Sequence, residues 1–330
     1  MAKITNTFVS TDAVGNREEL ANVVDRVQLD KTPLYSMISK GSASSTYPEW
    51  ERDEIEAPGE NIQPEGNEYD FDSIQPAERM GNPTQIFTRT FIMSKTQDAV
   101  SNAGKAEQFK KHKLYRGLEI RRDVEWAMLQ NNASVRGETR ELGGLPTWIT
   151  SNVSRGSGGS NGGFNSGTGL TVAATNGTQR AWTKTLTDDL MQTAYGNGAS
   201  IDTIMCSLYN KRVFTTFQSA SNVAQFQMNV SKTGGDTVKS NAVIYAGDFG
   251  TVSVVPNYIM SMSASMARDV YFLDTSKLSF KWLRKIQEDK DLAKTGDSKK
   301  HALVGEGTLA VTNEKGLGVI ADTYGLTAAS

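Results

Sequence analysis

Three observations predict an α+β fold for this chain of 330 residues. A helical stretch runs from about Ala106 to Asn131, with apolar residues recurring at the α-helical period. Ahead of it, Pro48 to Arg79 is acidic, proline-punctuated and extended. Beyond residue 169, helix and strand signals come in mixed order and not as a regular βαβ alternation. A stiff rod between a long arm and a polar loop suits a chain that reaches for its neighbours. Nothing in the order suggests a pocket closed around a substrate.

Composition excludes several classes. The length favours two subdomains over one growing core. A net charge of -2 and a pI near 5.9 argue against bulk electrostatic gripping of nucleic acid. The hydrophobic fraction of 38% and mean hydropathy of -0.43 imply much solvated or partner-facing surface. Cys206 is the one cysteine, so no intrachain disulfide forms, and its apolar neighbours make it a buried small hydrophobe. The N-terminus lacks the apolar stretch of a secretory signal, and no run of 18 apolar residues could cross a membrane. The expectation is a soluble protein made in a reducing cytoplasm.

Residues 1–45 read as an arm carrying one helix, with Leu20, Val23, Val24 and Val27 as its apolar stripe. Thr32-Pro33-Leu34-Tyr35 should stop that helix, and Lys40 to Ser45 should be a flexible hinge. Six of the eight prolines lie between Pro33 and Pro83, which forbids a long helix there. Pro48 to Arg79 carries 11 acidic residues against Arg52 and Arg79, and too few large apolar residues for its own core. A long hairpin is expected, with Tyr47 to Ile55 going out and Thr84 to Met93 coming back. Ser94 caps a short helix that Gly104 breaks. On the main helix, Leu114 and Leu118 form one stripe, and Ile120, Val124, Ala127 and Met128 another. Lys105 to Glu125 holds seven basic and four acidic residues, a basic surface opposite in sign to the arm.

Glu141 to Ile149 reads as a turn plus a short strand. From Ser151 to Gly169, 16 of 19 residues are Gly, Ser, Asn or Thr, the composition of a flexible loop that could be shortened without harm. Helices are then expected at Thr185 to Tyr195 and Asn210 to Gln218. Strands are expected at Ile201 to Leu208, Val243 to Tyr245, Thr251 to Pro256, Val270 to Leu273, Ser279 to Leu283, Ala302 to Val304 and Thr308 to Val311.

Catalytic signatures are missing. His112 and His301 sit among lysines as solvated residues, without a second ligand at metal-binding spacing or a nucleophile to serve. Gly156 to Asn161 lacks both phosphate-loop patterns. The two Lys-Thr-Gly tripeptides have no Ser-x-x-Lys companion. Phe280 to Lys285 mixes aromatic and basic residues, best read as a strand with Phe280, Trp282 and Ile286 on one face. No enzyme, cofactor or metal is expected.

Taken in order, certain segments resemble the major capsid proteins of tailed bacteriophages with the Hong Kong 97-type fold. They are Thr32 to Tyr35, Tyr47-Pro-Glu-Trp50, Gly81-Asn-Pro-Thr-Gln-Ile86, Arg122-Asp-Val-Glu125, Gly143-Gly-Leu145, Trp148-Ile149, Asp248-Phe-Gly250, Leu292 to Gly296 and Val304 to Leu309. The resemblance implies an N-terminal arm (1–45), an extended β-hairpin loop (46–93), and a peripheral domain with the spine helix and glycine-rich loop (94–177). An axial domain (178–265), peripheral-domain strands (266–317) and a C-terminal return to the axial domain (318–330) follow. It implies self-assembly through hexameric and pentameric capsomers into an icosahedral head enclosing double-stranded DNA without sequence specificity. Scaffolding, portal and decoration or head-completion proteins are the further partners, with no membrane. About 45 residues precede the hinge, so the scaffold is expected as a separate or removed component. The chain would be found in the virion, after assembly in the bacterial host cytoplasm. Contacts between subunits are expected at Trp50, Arg52, Glu54, Glu56, Glu60 and Arg79 of the loop and at Lys110 and Lys111 of the spine. An encapsulin-like cellular shell of the same fold, or more remotely a secreted polar hydrolase or adhesin, are the alternatives.

Overall fold

The computed structural model describes residues 31–56, 58–68, 71, 73, 74, 76–99, 108–219, 244–293 and 296–327. In chain order these form α1 (Pro33–Met37), β1 (Ser39–Ser42), β2 (Glu49–Arg52), β3 (Glu78–Gly81), β4 (Gln85–Ser94), α2 (Lys95–Ala99) and α3 (Gln108–Leu129). Next come β5 (Val153–Ser154), β6 (Gly163–Asn165), β7 (Leu170–Val172), α4 (Lys184–Gly196), β8 (Thr203–Cys206) and α5 (Leu208–Ser219). The chain ends with β9 (Ile244–Gly247), β10 (Gly250–Pro256), α6 (Ala264–Ala267), β11 (Val270–Leu273), β12 (Leu278–Asp289), β13 (Ser298–Val311) and β14 (Leu317–Ile320). The stripe from Leu20 to Val27, the break at Gly104, the start of the long helix before residue 108, Val243, and Lys294 and Thr295 lie outside the described residues.

The spine α3 packs on a four-stranded sheet of order β1-β12-β13-β4. Its buried face carries Ile120, Val124, Ala127 and Met128, as the period requires, while Leu114 points out, 69% exposed. Leu278, Phe280 and Trp282 are buried at alternate positions of β12. The expected pairing of Thr84–Met93 with the outgoing arm is overturned. That strand, β4, pairs antiparallel with β13, and the arm returns through β3, which pairs with β2. The exchange has a simple cause: β13 is long and mostly buried, and offers ten residues of register to β4. β13 also fuses two expected strands. Gly305 and Gly307, which read as a break, leave room for rings, since a Cβ there would meet Trp282 at 3.0 Å and Phe280 at 2.5 Å.

Pro33 opens α1, because its fixed φ and missing N–H suit the first helical turn; the helix that Thr32 to Tyr35 should end lies outside the described residues. The first half of the expected Lys40–Ser45 hinge, Lys40 to Ser42, is instead part of strand β1, parallel to β12. The strand expected near Trp148 is instead a 3-10 helix at Leu145–Thr147.

The second sheet has six strands in the order β5-β14-β11-β8-β10-β9. β5 and β11 both lie in it, while β12 and β13 belong to the four-stranded sheet, so the stretch 266–317 contributes strands to both. β8, β11 and β14 are buried on both faces. Met205, Tyr271, Leu273, Leu317 and Val319 join the core shared with the spine. Ile204, Cys206, Val270, Phe272 and Ile320 face a second core under α4 and α5. Burial there pushes the Cys206 thiol up to about 12, so it is an inert packing residue.

Buried charges tie the elements together. Glu125 of α3 accepts from the backbone N–H groups of Leu34 (2.9 Å) and Tyr35 (2.7 Å) and from Asn257 Nδ2 (2.7 Å). Desolvation raises its pKa in spite of those three donors. Glu306 of β13 accepts from Thr84 Oγ1 (2.8 Å), Arg140 Nη2 (2.7 Å) and Arg284 Nη2 (2.8 Å). Burial alone would raise this carboxyl, but those donors outweigh it and hold it below its ordinary 4.5. His301, expected in solvent, is buried instead. Its ring stacks on Phe91 with centroids 5.1 Å apart, and Nε2 lies 3.1 Å from Glu288. Burial lowers its pKa, against the pull of Glu288.

The glycine-rich segment is structure, not slack. β6 and β7 form a hairpin, and β5 joins the six-stranded sheet. The reason is Asp322, buried and at φ 63, whose carboxylate accepts from Gly156 N–H (3.0 Å), Gly177 N–H (2.9 Å) and Arg268 (2.8 Å). The segment wraps a carboxylate of its own chain. A Cβ at Gly156 would stand 2.0 Å from the Thr178 carbonyl oxygen.

Gly156→Ala is therefore expected to lower subunit stability by about 3 kcal/mol or more, or to abolish soluble yield. Gly137→Ala, where a Cβ meets nothing within 4 Å, should be near neutral in the same urea titration. Equal midpoints for the two variants would return the segment to a loose loop. Glu306→Gln should cost about 2 kcal/mol near neutral pH. A carboxyl lowered on folding stabilises above its ordinary pKa and loses that contribution as pH falls through the folded value. The gap between wild type and variant should accordingly shrink as unfolding is measured at falling pH through the carboxylate range.

Candidate functional site at the extended loop and spine

The root of the acidic loop is fixed by aromatic packing. Trp50 on β2 donates from Nε1 to the Val311 carbonyl at 2.8 Å, and its ring lies 5.7 Å from Trp148. Phe164 of the β6–β7 hairpin stacks on the other neighbour of this group, with its ring 5.6 Å from Trp148 and nearly parallel. Tyr47 donates its hydroxyl to the Gly169 carbonyl, and the Arg136 guanidinium sits 4.0 Å over its ring. Asn82 closes the root, donating to the carbonyls of Gly143 (3.2 Å) and Leu309 (2.8 Å) and accepting from Gly143 N–H (2.8 Å). Gly81 and Gly143 are required by closeness, because a Cβ would meet the Tyr47 ring at 2.6 Å and Thr171 Oγ1 at 2.2 Å.

Charged pairs continue the root outward. Arg52 reaches Glu78 (2.6 Å) and, more distantly, Glu314 (3.8 Å), while Lys315 pairs with Glu54 (2.6 Å). Beyond Glu54 the described loop residues form no strand before β3 and turn their apolar side chains outward. Ile55 is 100% exposed, Phe71 95%, Ile74 96% and Ile62 76%. These large apolar side chains stand among carboxylates and are not covered by the described residues of the same chain.

On the spine, Lys110, Lys113 and Arg121 rim a groove of about 540 Å³. Leu114 and Leu118 of α3 and Ile286 and Leu303 of the facing sheet supply its apolar lining. Among the described residues no group of three or more His, Cys, Asp or Glu is placed to hold a metal ion, and no helix is long and apolar enough to cross a membrane.

A family model described as SU10 major capsid protein matches residues 3–324. The chain belongs to the SU10 major capsid protein family. Members of this family are structural subunits of bacteriophage heads, and the α+β architecture above is the Hong Kong 97-type capsid fold. The major capsid protein of Escherichia phage Phieco32 is 29% identical over 127 residues, which span 38% of this chain and 36% of that relative's length. Among solved structures, the capsid of the native GTA particle superposes with a TM-score of 0.64 at 9% identity, covering 95% of this chain and 97% of that one. The cyanophage A-1(L) capsid gives 0.61 at 12% identity, over 96% and 98%.

In this capsid protein the residues expected to touch other subunits fall into two groups. Trp50, Arg52 and Glu54 are engaged by their own chain, and Arg79 lies 4.0 Å from Glu49 on the adjoining strand. They build the root. Glu56 and Glu60 are exposed on the projecting part. Lys110 borders the spine groove, and Lys111 sits 5.4 Å over the Tyr115 ring. The exposed Ile55, Ile62, Phe71 and Ile74 escaped sequence reading. Their signal was there, as lone large apolar residues among carboxylates with no helical or strand period.

Trp50→Ala should cost about 2–3 kcal/mol by losing the ring contacts and one hydrogen bond. It should also speed hydrogen exchange in β2 and β3. A variant with unchanged melting and exchange would show that the root is not anchored by this ring.

Proposed function

We propose that this capsid protein closes a phage head shell by laying its extended loop on a second copy of itself. The four exposed apolar side chains of the loop carry this reading. A root locked to its own core holds the projection at a fixed angle, and the exposed tip gains burial when another subunit arrives. Acidic residues around the tip, Glu56 and Glu60 among them, steer it toward basic surface and set register more than affinity. The shell assembles from hexameric and pentameric capsomers, in the host cytoplasm, around or ahead of double-stranded DNA. A net charge of -2 suits a wall that confines DNA without gripping it. Scaffolding, portal and decoration or head-completion proteins complete the head, and the subunit itself performs no catalysis. The family match favours this over a cargo-loading cellular shell of the same fold.

The triple variant Ile62→Ser, Phe71→Ser, Ile74→Ser tests the reading. Surface positions away from packed features change stability by about 0.5 kcal/mol or less, so the variant subunit should melt like wild type. Sedimentation should show few or no closed shells. Shells forming at the wild-type rate would reduce the loop to a solvated ornament and defeat the proposal.

A further inference from the structure

On one side the four-stranded sheet ends at β4, which among the described residues pairs with β13 alone. Its ladder to β13 runs through ten residues without a register shift, whereas the β12–β13 ladder is irregular at two places. No proline, lysine or bulge interrupts β4, and those are common means of blunting a sheet edge. The approach to β4 is occupied by its own chain: the Thr84 carbonyl accepts from Arg140 Nε (3.3 Å) and Gln85 Oε1 from the Leu142 N–H (3.3 Å). From Ile86 to Ile92 the strand reads Ile-Phe-Thr-Arg-Thr-Phe-Ile, the same in both directions. Its odd-numbered side chains turn toward the spine. Phe87 enters the core, Arg89 holds Asp123 at 2.5 Å through Nε and Nη2, and the Phe91 ring lies 5.1 Å from Phe109. Ile86, Thr88, Thr90 and Ile92 stand exposed on the opposite face, and all four are β-branched.

We propose that β4 pairs antiparallel with β4 of a second copy of this chain, centred on Arg89, so that two four-stranded sheets become one. A strand that reads alike in both directions is complementary to itself under a two-fold axis, the relation by which one patch serves both sides of an interface. The register sets Ile86 opposite Ile92, Thr88 opposite Thr90 and Phe87 opposite Phe91 of the other copy. Such β-branched and aromatic cross-strand pairs stabilise antiparallel sheets. The two Arg89 side chains meet at the centre, each already paired with its own Asp123, so no bare like charges oppose. Main-chain hydrogen bonds along the edge supply the attraction, over seven positions that span about 24 Å. The contact uses no residue of the extended loop's tip, so it stands whether or not that tip docks.

Disulfide trapping in the full-length chain tests this, with Cys206 silent because it is buried. Chains carrying Thr88→Cys are mixed with chains carrying Thr90→Cys and allowed to assemble. Positions 88 and 90 of two copies are directly opposite, while like positions lie on the diagonal, about 7–8 Å apart. The mixture should therefore give a dimer-sized product on a denaturing gel at least about tenfold faster than either chain alone. Mass spectrometry should find peptides 88 and 90 joined. No dimer-sized product, or equal rates in all three samples, overturns the proposal. A charge swap covers the case in which the cysteine chains assemble poorly. Ile86→Lys with Ile92→Lys sets lysine against lysine, and Ile86→Glu with Ile92→Glu sets glutamate against glutamate. Both positions are exposed, so both subunits should melt close to wild type. Each variant alone should form shells at least about tenfold more slowly than wild type, and an equal mixture should recover, because opposite charges then face each other. Wild-type rates from either variant alone, or no recovery in the mixture, would also overturn the proposal.

Discussion

The carboxylate of Glu125 is the contact on which the rest of the subunit depends. It lies on the buried side of the spine and accepts from two backbone amides of α1 and from the side chain of Asn257 after β10. One side chain thereby fixes three parts of the chain that are far apart in sequence. The first turn of a helix needs acceptors for its amides, and a carboxylate there also meets the positive end of the peptide dipoles. α1 is only five residues long and would not persist without such a partner. Once it is placed, Leu34 and Ile38 fill the core, and β1 is delivered to the edge of the four-stranded sheet. Burial raises the carboxyl's pKa, so the three donors offset a real desolvation cost.

A second division follows within the extended loop. Near its root Tyr47, Trp50, Arg52 and Asn82 find polar partners in the same chain, and Trp50, Trp148 and Phe164 make a continuous aromatic contact. Further out, apolar side chains are left to solvent. Stiffness at the base and unsatisfied surface at the tip together allow a projection to be specific. A loose root would spread the tip over many directions and add an ordering cost to every contact.

The glycine-rich stretch shows how composition can mislead. Gly, Ser, Asn and Thr in such density read as a flexible linker. Here glycine is present because backbone passes against backbone, so that any side chain would collide at Gly156 and Gly177 and be tightly pressed at Gly159. The Asp322 carboxylate, brought from the far end of the chain, gathers two of those amides. The bonds join the middle of the chain to its C-terminal part, so no local window of sequence displays them.

What the sequence determined by itself was whatever a local period or charge run encodes. The spine and its buried stripe from Ile120 to Met128, the helices after residue 183, the alternation of Phe280 and Trp282 and the acidity of the loop were all legible. The order of short segments such as Tyr47 to Trp50 and Gly143 to Leu145 also pointed to the capsid family. Tertiary structure decided which strand pairs with which. β4 reads equally well as a partner for the arm or for β13, since edge hydrogen bonds are alike and only total burial separates the choices. It likewise decided that Pro33 opens a helix, that His301 is buried beside Glu288, and that Trp50, Arg52 and Glu54 serve the loop's own root. Those outcomes rest on contacts between residues far apart in the chain, which appear once the two sheets have closed over a shared core.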